Sequence, residues 1–242
     1  MKRILISLVA LAAAAVVPSL VQAQPLKFQP GKHYTLIPQQ RTNVAPGKVE
    51  VLEVFSYGCP ACNQFRPLMK QLATSLPKTA QIAYLPASWN AAENWPTFAR
   101  AYLTAQSLGV ADKGHDAMFD AIWSSGELAI ADARTRQLKK QLPTIEDIAK
   151  LYQRVAGVKP ADFIAASKSF GVDLKSRQAE QQITAMQITG TPTLVVAGKY
   201  RINNEHFAKA EEIIEAVNFL VAKEVGAAAP AAAKPAPAAA KP

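Results

Sequence analysis

Cysteine is almost missing from this sequence: 242 residues hold two, Cys59 and Cys62. A framework of several disulfides is thereby excluded. Histidine is as scarce. His33, His115 and His206 are isolated from one another and there is no second Cys-x-x-Cys, so no metal ligand set is assembled and no metal or other cofactor is expected. A membrane-length apolar run is missing too. The longest, "ILISLVALAAAAVV", has 14 residues. It follows Lys2 and Arg3 and precedes Val21-Gln22-Ala23, the order of a secretory signal peptide (1–23) cut after Ala23. No cysteine lies near that cut, so a lipid anchor is not expected. The reading is of an exported, soluble protein.

Acidic residues are in deficit, with 18 against 27 basic and a formal charge of +9. Removing Lys2 and Arg3 with the leader lowers this to +7. Aromatic residues do not interleave with the basic ones, so nucleic acid is not an expected partner. The densest basic run, "RTRQLKKQ" at 134–141, is read as the solvated face of a helix over 127–141. The segment 226–242, "GAAAPAAAKPAPAAAKP", has nothing large to bury and its prolines interrupt any helix, so a disordered tail is expected there.

Between these ends lie about 200 residues, enough for one core or for a domain carrying an insertion. "KVEVLEVFSY" (48–57) reads as a buried strand. A helix follows to about Leu76, with Phe65, Leu68, Met69, Leu72 and Leu76 at spacings of three and four and Pro67 predicting a kink. "QIAYLPAS" (81–88) is a second strand, which makes β-α-β and predicts a parallel pair. From Trp95 onward only helices are predicted: 95–108, 114–124, 127–141, 144–155, 160–169 and 172–187. "TPTLVVAGKYRIN" (191–203) predicts two antiparallel strands joined at Ala197-Gly198-Lys199, and a last helix covers 205–223. The fold class is therefore α/β, one domain interrupted by a helical one. No internal repeat is visible.

Cys59 stands at the N-cap of the first helix, with Pro60 at the first helical position, where its missing N–H is not needed. Cys62 lies one turn on and on the same face, close enough for a disulfide to open and close with little backbone movement. The helix dipole and the unpaired N–H groups of the first turn favour a thiolate at Cys59, in a setting where cysteine pKa values run from about 3.5 to 7.5. Cys62 should be more buried and less acidic. One sulfur then reacts and the other resolves it. A structural staple is the competing reading, but a loop this short would stabilise by only about 2 kcal/mol, against about 3 for fifteen residues. Redox exchange explains the strand–Cys-x-x-Cys–helix placement best.

"VEVLEVFSYGCPACNQF" and "GTPTLVVAGKYRI" resemble the active-site segment and the proline loop of DsbA-type thiol:disulfide oxidoreductases. The resemblance covers most of residues 24–225. It implies a thioredoxin fold with an inserted all-helical domain, divided as 24–92 and 174–225 around an insertion at 93–173. It implies a periplasmic enzyme of a Gram-negative bacterium, a monomer, that donates the Cys59–Cys62 disulfide to reduced, newly exported proteins. It also implies reoxidation by a quinone-linked membrane partner resembling DsbB. On this resemblance Glu53 is a proton relay for Cys62, Pro192 is a cis-proline facing the cysteines, and Thr191 offers its backbone to an extended substrate. The motif dipeptide Pro60-Ala61 departs from the Pro-His of many members, which implies a less acidic Cys59 and a weaker oxidant. A reductase or isomerase is the rival within the same chemistry. A peptide-binding, chaperone-like module with incidental thiols is the rival outside it.

Overall fold

The computed structural model describes residues 27–228, so the leader assigned to 1–23 and all but the first three residues of the tail assigned to 226–242 lie outside the described residues. The chain order is β1 (Tyr34–Leu36), β2 (Val49–Phe55), α1 (Pro60–Ser75), β3 (Ala80–Pro86), α2 (Trp95–Ser107), α3 (Ala111–Trp123), α4 (Ile145–Ala156), α5 (Pro160–Ser167), α6 (Phe170–Ala185), β4 (Thr193–Val196), β5 (Tyr200–Ile202) and α7 (Ala210–Ala228). One five-stranded sheet has the order β1-β5-β4-β2-β3. β2 and β3 are parallel, and the other pairings are antiparallel. This is a thioredoxin fold with five helices between β3 and β4, most of them in the helical insertion.

β2 lies inside the sheet and is covered on both faces, which is why it reads as a nearly continuous apolar run instead of an alternating one. On one side Val51, Leu194 and Val196 meet Leu68, Met69 and Leu72 of α1 and Val217 and Leu220 of α7. On the other, Leu52, Val54 and Val195 join the core of the helical insertion, around Phe98, Phe119 and Tyr152. Phe55, at the end of the strand, packs with the insertion, in edge-to-face contact with Tyr57, Tyr84 and Tyr102. The β4–β5 connection turns through Ala197 (φ 53°) and Gly198 (φ 67°), the two left-handed positions that a tight hairpin between right-twisted strands requires.

Three elements differ from the sequence expectation. The last helix, α7, starts at Ala210 instead of 205 and continues to Ala228, taking in the first three residues of the tail expected at 226–242. The helix predicted over 127–141 is absent. Asp132 Oδ1 accepts the backbone N–H groups of Arg134 (2.9 Å) and Thr135 (2.8 Å), and Arg136 adopts a left-handed φ of 59°. A short polar side chain that captures nearby N–H groups competes with helical bonding. Leu128 and Ile130, two residues apart in a turn, both reach the core. The strand β1 was not predicted. It has three residues, pairs with β5 and buries Tyr34 in the core.

Candidate active site

The turn between β2 and α1 is held from both sides. Cys59 N–H donates to the Ser56 carbonyl (3.1 Å), and Gly58 N–H donates to Ser56 Oγ (3.2 Å). From the insertion, the Trp123 indole N–H donates to the Tyr57 carbonyl (2.8 Å). A side chain at Gly58 would be impossible without movement: a Cβ there would stand 2.6 Å from the Glu93 carbonyl oxygen and 2.8 Å from the Trp95 ring. The helical insertion is thus pressed directly against the residue preceding Cys59.

Cys59 is the N-cap of α1, with φ −87° and ψ 117°, and its sulfur accepts the N–H of Cys62 (3.4 Å). Pro60 occupies the first helical position, and both Pro60 and Ala61 are exposed beside the sulfur. No acidic residue occupies the first turn of this 16-residue helix, so nothing there opposes its positive end. Both cysteines are in the thiol form. They are unequal: Cys62 is fully buried, while Cys59 is 6% exposed. Cys59 is therefore less open than the sequence suggested, because the Thr191 carbonyl stands 3.5 Å from its sulfur and accepts its S–H.

The two thiols are driven apart in acidity. A hydrogen bond from the Cys62 thiol, helped by Thr191 and the N–H groups of Cys62 and Ala61, brings Cys59 down to about 6 against the opposing effect of burial. Burial first, and then the neighbouring Cys59, push Cys62 far up. The Thr191 hydroxyl oxygen is buried without a hydrogen-bond partner in the thiol form, leaving it a donor for a thiolate. The Thr191–Pro192 peptide bond is cis, and the Pro192 carbonyl accepts from the Asn204 amide (3.0 Å).

Glu53 is 4% exposed. It stands between Leu194 on β4 and Tyr84 on β3, and no Lys or Arg pairs with it among the described residues. Burial, reinforced by Cys59, raises its pKa to about 8, so it carries a proton at neutral pH. A second buried group went unrecognised in the sequence. His115 Nδ1 lies 3.1 Å from the Tyr57 hydroxyl and its ring centre 4.2 Å from that of Tyr84 at a tilt of 35°, and burial holds it neutral, with a pKa lowered to about 4. Tyr84, Asn204 and Trp123 carry no local sequence signal, because each meets the site from a distant element. Among the described residues no group of three or more His, Cys, Asp or Glu could hold a metal ion.

A vicinal thiol pair on the first turn of a helix, one sulfur acidic and the other buried and basic, facing a proline loop across a thioredoxin sheet, defines a protein that exchanges thiols with disulfides. The chain belongs to the DSBA-like thioredoxin domain family, whose model matches residues 50–215. It is 32% identical over 200 residues to the thiol:disulfide interchange protein DsbA of Azotobacter vinelandii, covering 83% of this chain and 86% of that one. The crystal structure of the oxidoreductase DsbA from Xylella fastidiosa superposes with a TM-score of 0.69 at 30% identity, covering 81% of this chain and 97% of that one. Proteus mirabilis DsbA in complex with a non-covalently bound peptide superposes with a TM-score of 0.63 at 25% identity, covering 83% and 100%. The protein is a DsbA-like protein disulfide oxidoreductase.

Proposed function

We propose that the protein acts as an oxidase, donating the Cys59–Cys62 disulfide to reduced proteins newly exported to the periplasm of a Gram-negative bacterium. The observation that carries this is the opposed acidity of the two sulfurs. A substrate thiolate attacks Cys59 Sγ in the oxidised enzyme. The Cys59–Cys62 bond breaks, a substrate–Cys59 bond forms, and the electron pair leaves on Cys62. That thiolate is poorly tolerated in its buried site, and Glu53, protonated at neutral pH, supplies the proton. A second substrate thiolate then attacks the substrate sulfur of the mixed disulfide and expels Cys59 as thiolate. A low pKa makes Cys59 a good leaving group and stabilises the reduced enzyme, which is the physical content of an oxidant.

Thr191 and Pro192 receive the substrate as an added extended segment, the Thr191 backbone lying next to the attacked sulfur. Pro60-Ala61 leaves the thiolate without a histidine donor, and the value of about 6 lies between those near 7 and near 3.5 found at the weak and strong ends of this fold. The reduction potential is accordingly set between about −270 and −120 mV. The dithiol is returned to the disulfide by a quinone-linked membrane partner resembling DsbB. The protein works as a monomer after removal of residues 1–23, with the thioredoxin-like parts at 24–92 and 174–225 and the insertion at 93–173. Equilibration with glutathione tests the assignment. A potential at or below that of thioredoxin would make the protein a reductase, and disulfide transfer retained by Cys59→Ser would remove Cys59 from the reaction.

A further inference from the structure

We propose that the segment 134–140 is a docking site for an anionic phospholipid surface, carried on the helical insertion whose flanks pack against the Cys59 turn. The segment is an ordered hairpin. Asp132 N–H donates to the Gln137 carbonyl (2.9 Å), Lys139 N–H donates to the Ile130 carbonyl (2.8 Å), and Ala131 bridges Leu138. Buried Leu128 and Ile130 anchor its base. Beyond that base every residue from 132 to 141 is exposed.

Four cations, Arg134, Arg136, Lys139 and Lys140, crowd this tip. No salt bridge engages any of them among the described residues, although nine such bridges form elsewhere. Asp132 is the one carboxylate between 128 and 141. Its oxygen is engaged by the hairpin's own N–H groups, and Glu127 nearby is already matched by Arg154 (2.5 Å). Leu138 stands among the cations and is 46% exposed. An apolar side chain ringed by unpaired cations suits the boundary between headgroups and acyl chains, where the charges meet lipid phosphates and the Leu leaves water. Nucleic acid suits it less, because residues 124–143 contain no aromatic side chain on which a base would stack.

Both roots of the hairpin are tied to the active-site turn. Before it, Trp123 donates to the Tyr57 carbonyl. After it, the Pro143 carbonyl accepts from the Asn94 amide (2.8 Å), and the flanking Glu93 and Trp95 lie against Gly58. The inference concerns binding alone and goes beyond the oxidase reading, since it needs neither substrate nor membrane partner.

Co-sedimentation of the mature chain with vesicles tests it. Binding to phosphatidylcholine vesicles containing phosphatidylglycerol is expected at 0.05 M salt, with little on phosphatidylcholine alone. It should fade toward 1 M salt, where the screening length falls to about 3 Å. Each cation near such a surface contributes about fivefold. Replacing all four by Gln (R134Q, R136Q, K139Q, K140Q) should therefore weaken binding several hundredfold, with disulfide exchange on a soluble peptide kept as the control for folding. L138S should weaken it less. Equal binding to both vesicle types, unchanged binding by the four-fold variant, or binding to polyglutamate but not to vesicles would each overturn the proposal.

Discussion

Two segments of this protein start with the same local event and end differently. At Cys59 the side chain accepts the N–H of Cys62, three residues on. At Asp132 the side chain accepts the N–H groups of Arg134 and Thr135, two and three residues on. The first capture opens a 16-residue helix, and the second closes a turn that goes no further. The cap does not make the difference. After Cys59 come Leu68, Met69 and Leu72 at helical spacing, with a sheet face to receive them. After Asp132 come four cations around a single Leu, and a helix there would bury nothing. A cap starts a helix only where burial continues it. The chemical consequences also diverge. Sulfur is a weak acceptor as a thiol and a strong one as a thiolate, so capping at Cys59 lowers a pKa. The Asp132 carboxylate is charged already, and capping there only fixes a shape.

The sharpest way to break this comparison is at the carboxylate behind the thiols. Glu53→Gln should slow disulfide exchange by about 100-fold at neutral pH, the lower range for a positioned proton-transfer group. It should also flatten the rate profile near pH 8, where Glu53 titrates. Stopped-flow oxidation of a reduced peptide reads both, and an unchanged profile would remove Glu53 from the proton path. Next in size is Gly58→Ala, whose Cβ meets the Glu93 carbonyl and Trp95. It should destabilise by about 2 kcal/mol in denaturant unfolding, as overpacking does. A neutral result would mean that the insertion is not pressed on the turn.

Thiolate absorbance of the reduced protein should rise with pH through a midpoint of about 6, the thiol prevailing below and the thiolate above. Because this folded value lies under that of an unfolded cysteine, the reduced form carries extra stability above the unfolded value and loses it as pH falls through about 6. Thr191→Val should move the midpoint upward by deleting one thiolate donor. Asp132→Ala should loosen the hairpin slightly and leave the thiol midpoint in place. A shifted midpoint would show that the hairpin reaches the sulfurs.

The strand, the Cys-x-x-Cys turn and the amphipathic helix after it were legible because all their determinants are local: an apolar run, a proline at the first helical position, apolar residues three and four apart. The hairpin at 127–141 was misread for the opposite reason. Its basic run fits a helix surface equally well, and only the course of Leu128 and Ile130 into the core separates the two. Tyr84, Trp123, His115 and Asn204 were not legible at all. Each belongs to an element far along the chain, and no spacing announces contact with residue 57, 53 or 192.

By itself, then, the order of residues determined where the two sulfurs stand and that the upstream one begins a helix, since neighbours along the chain settle the dipole and the cap. Only the tertiary structure decided how unequal those sulfurs are. Desolvation of Cys62 and Glu53, and the approach of Thr191 to Cys59, arise where β2, β4 and the insertion close around one turn.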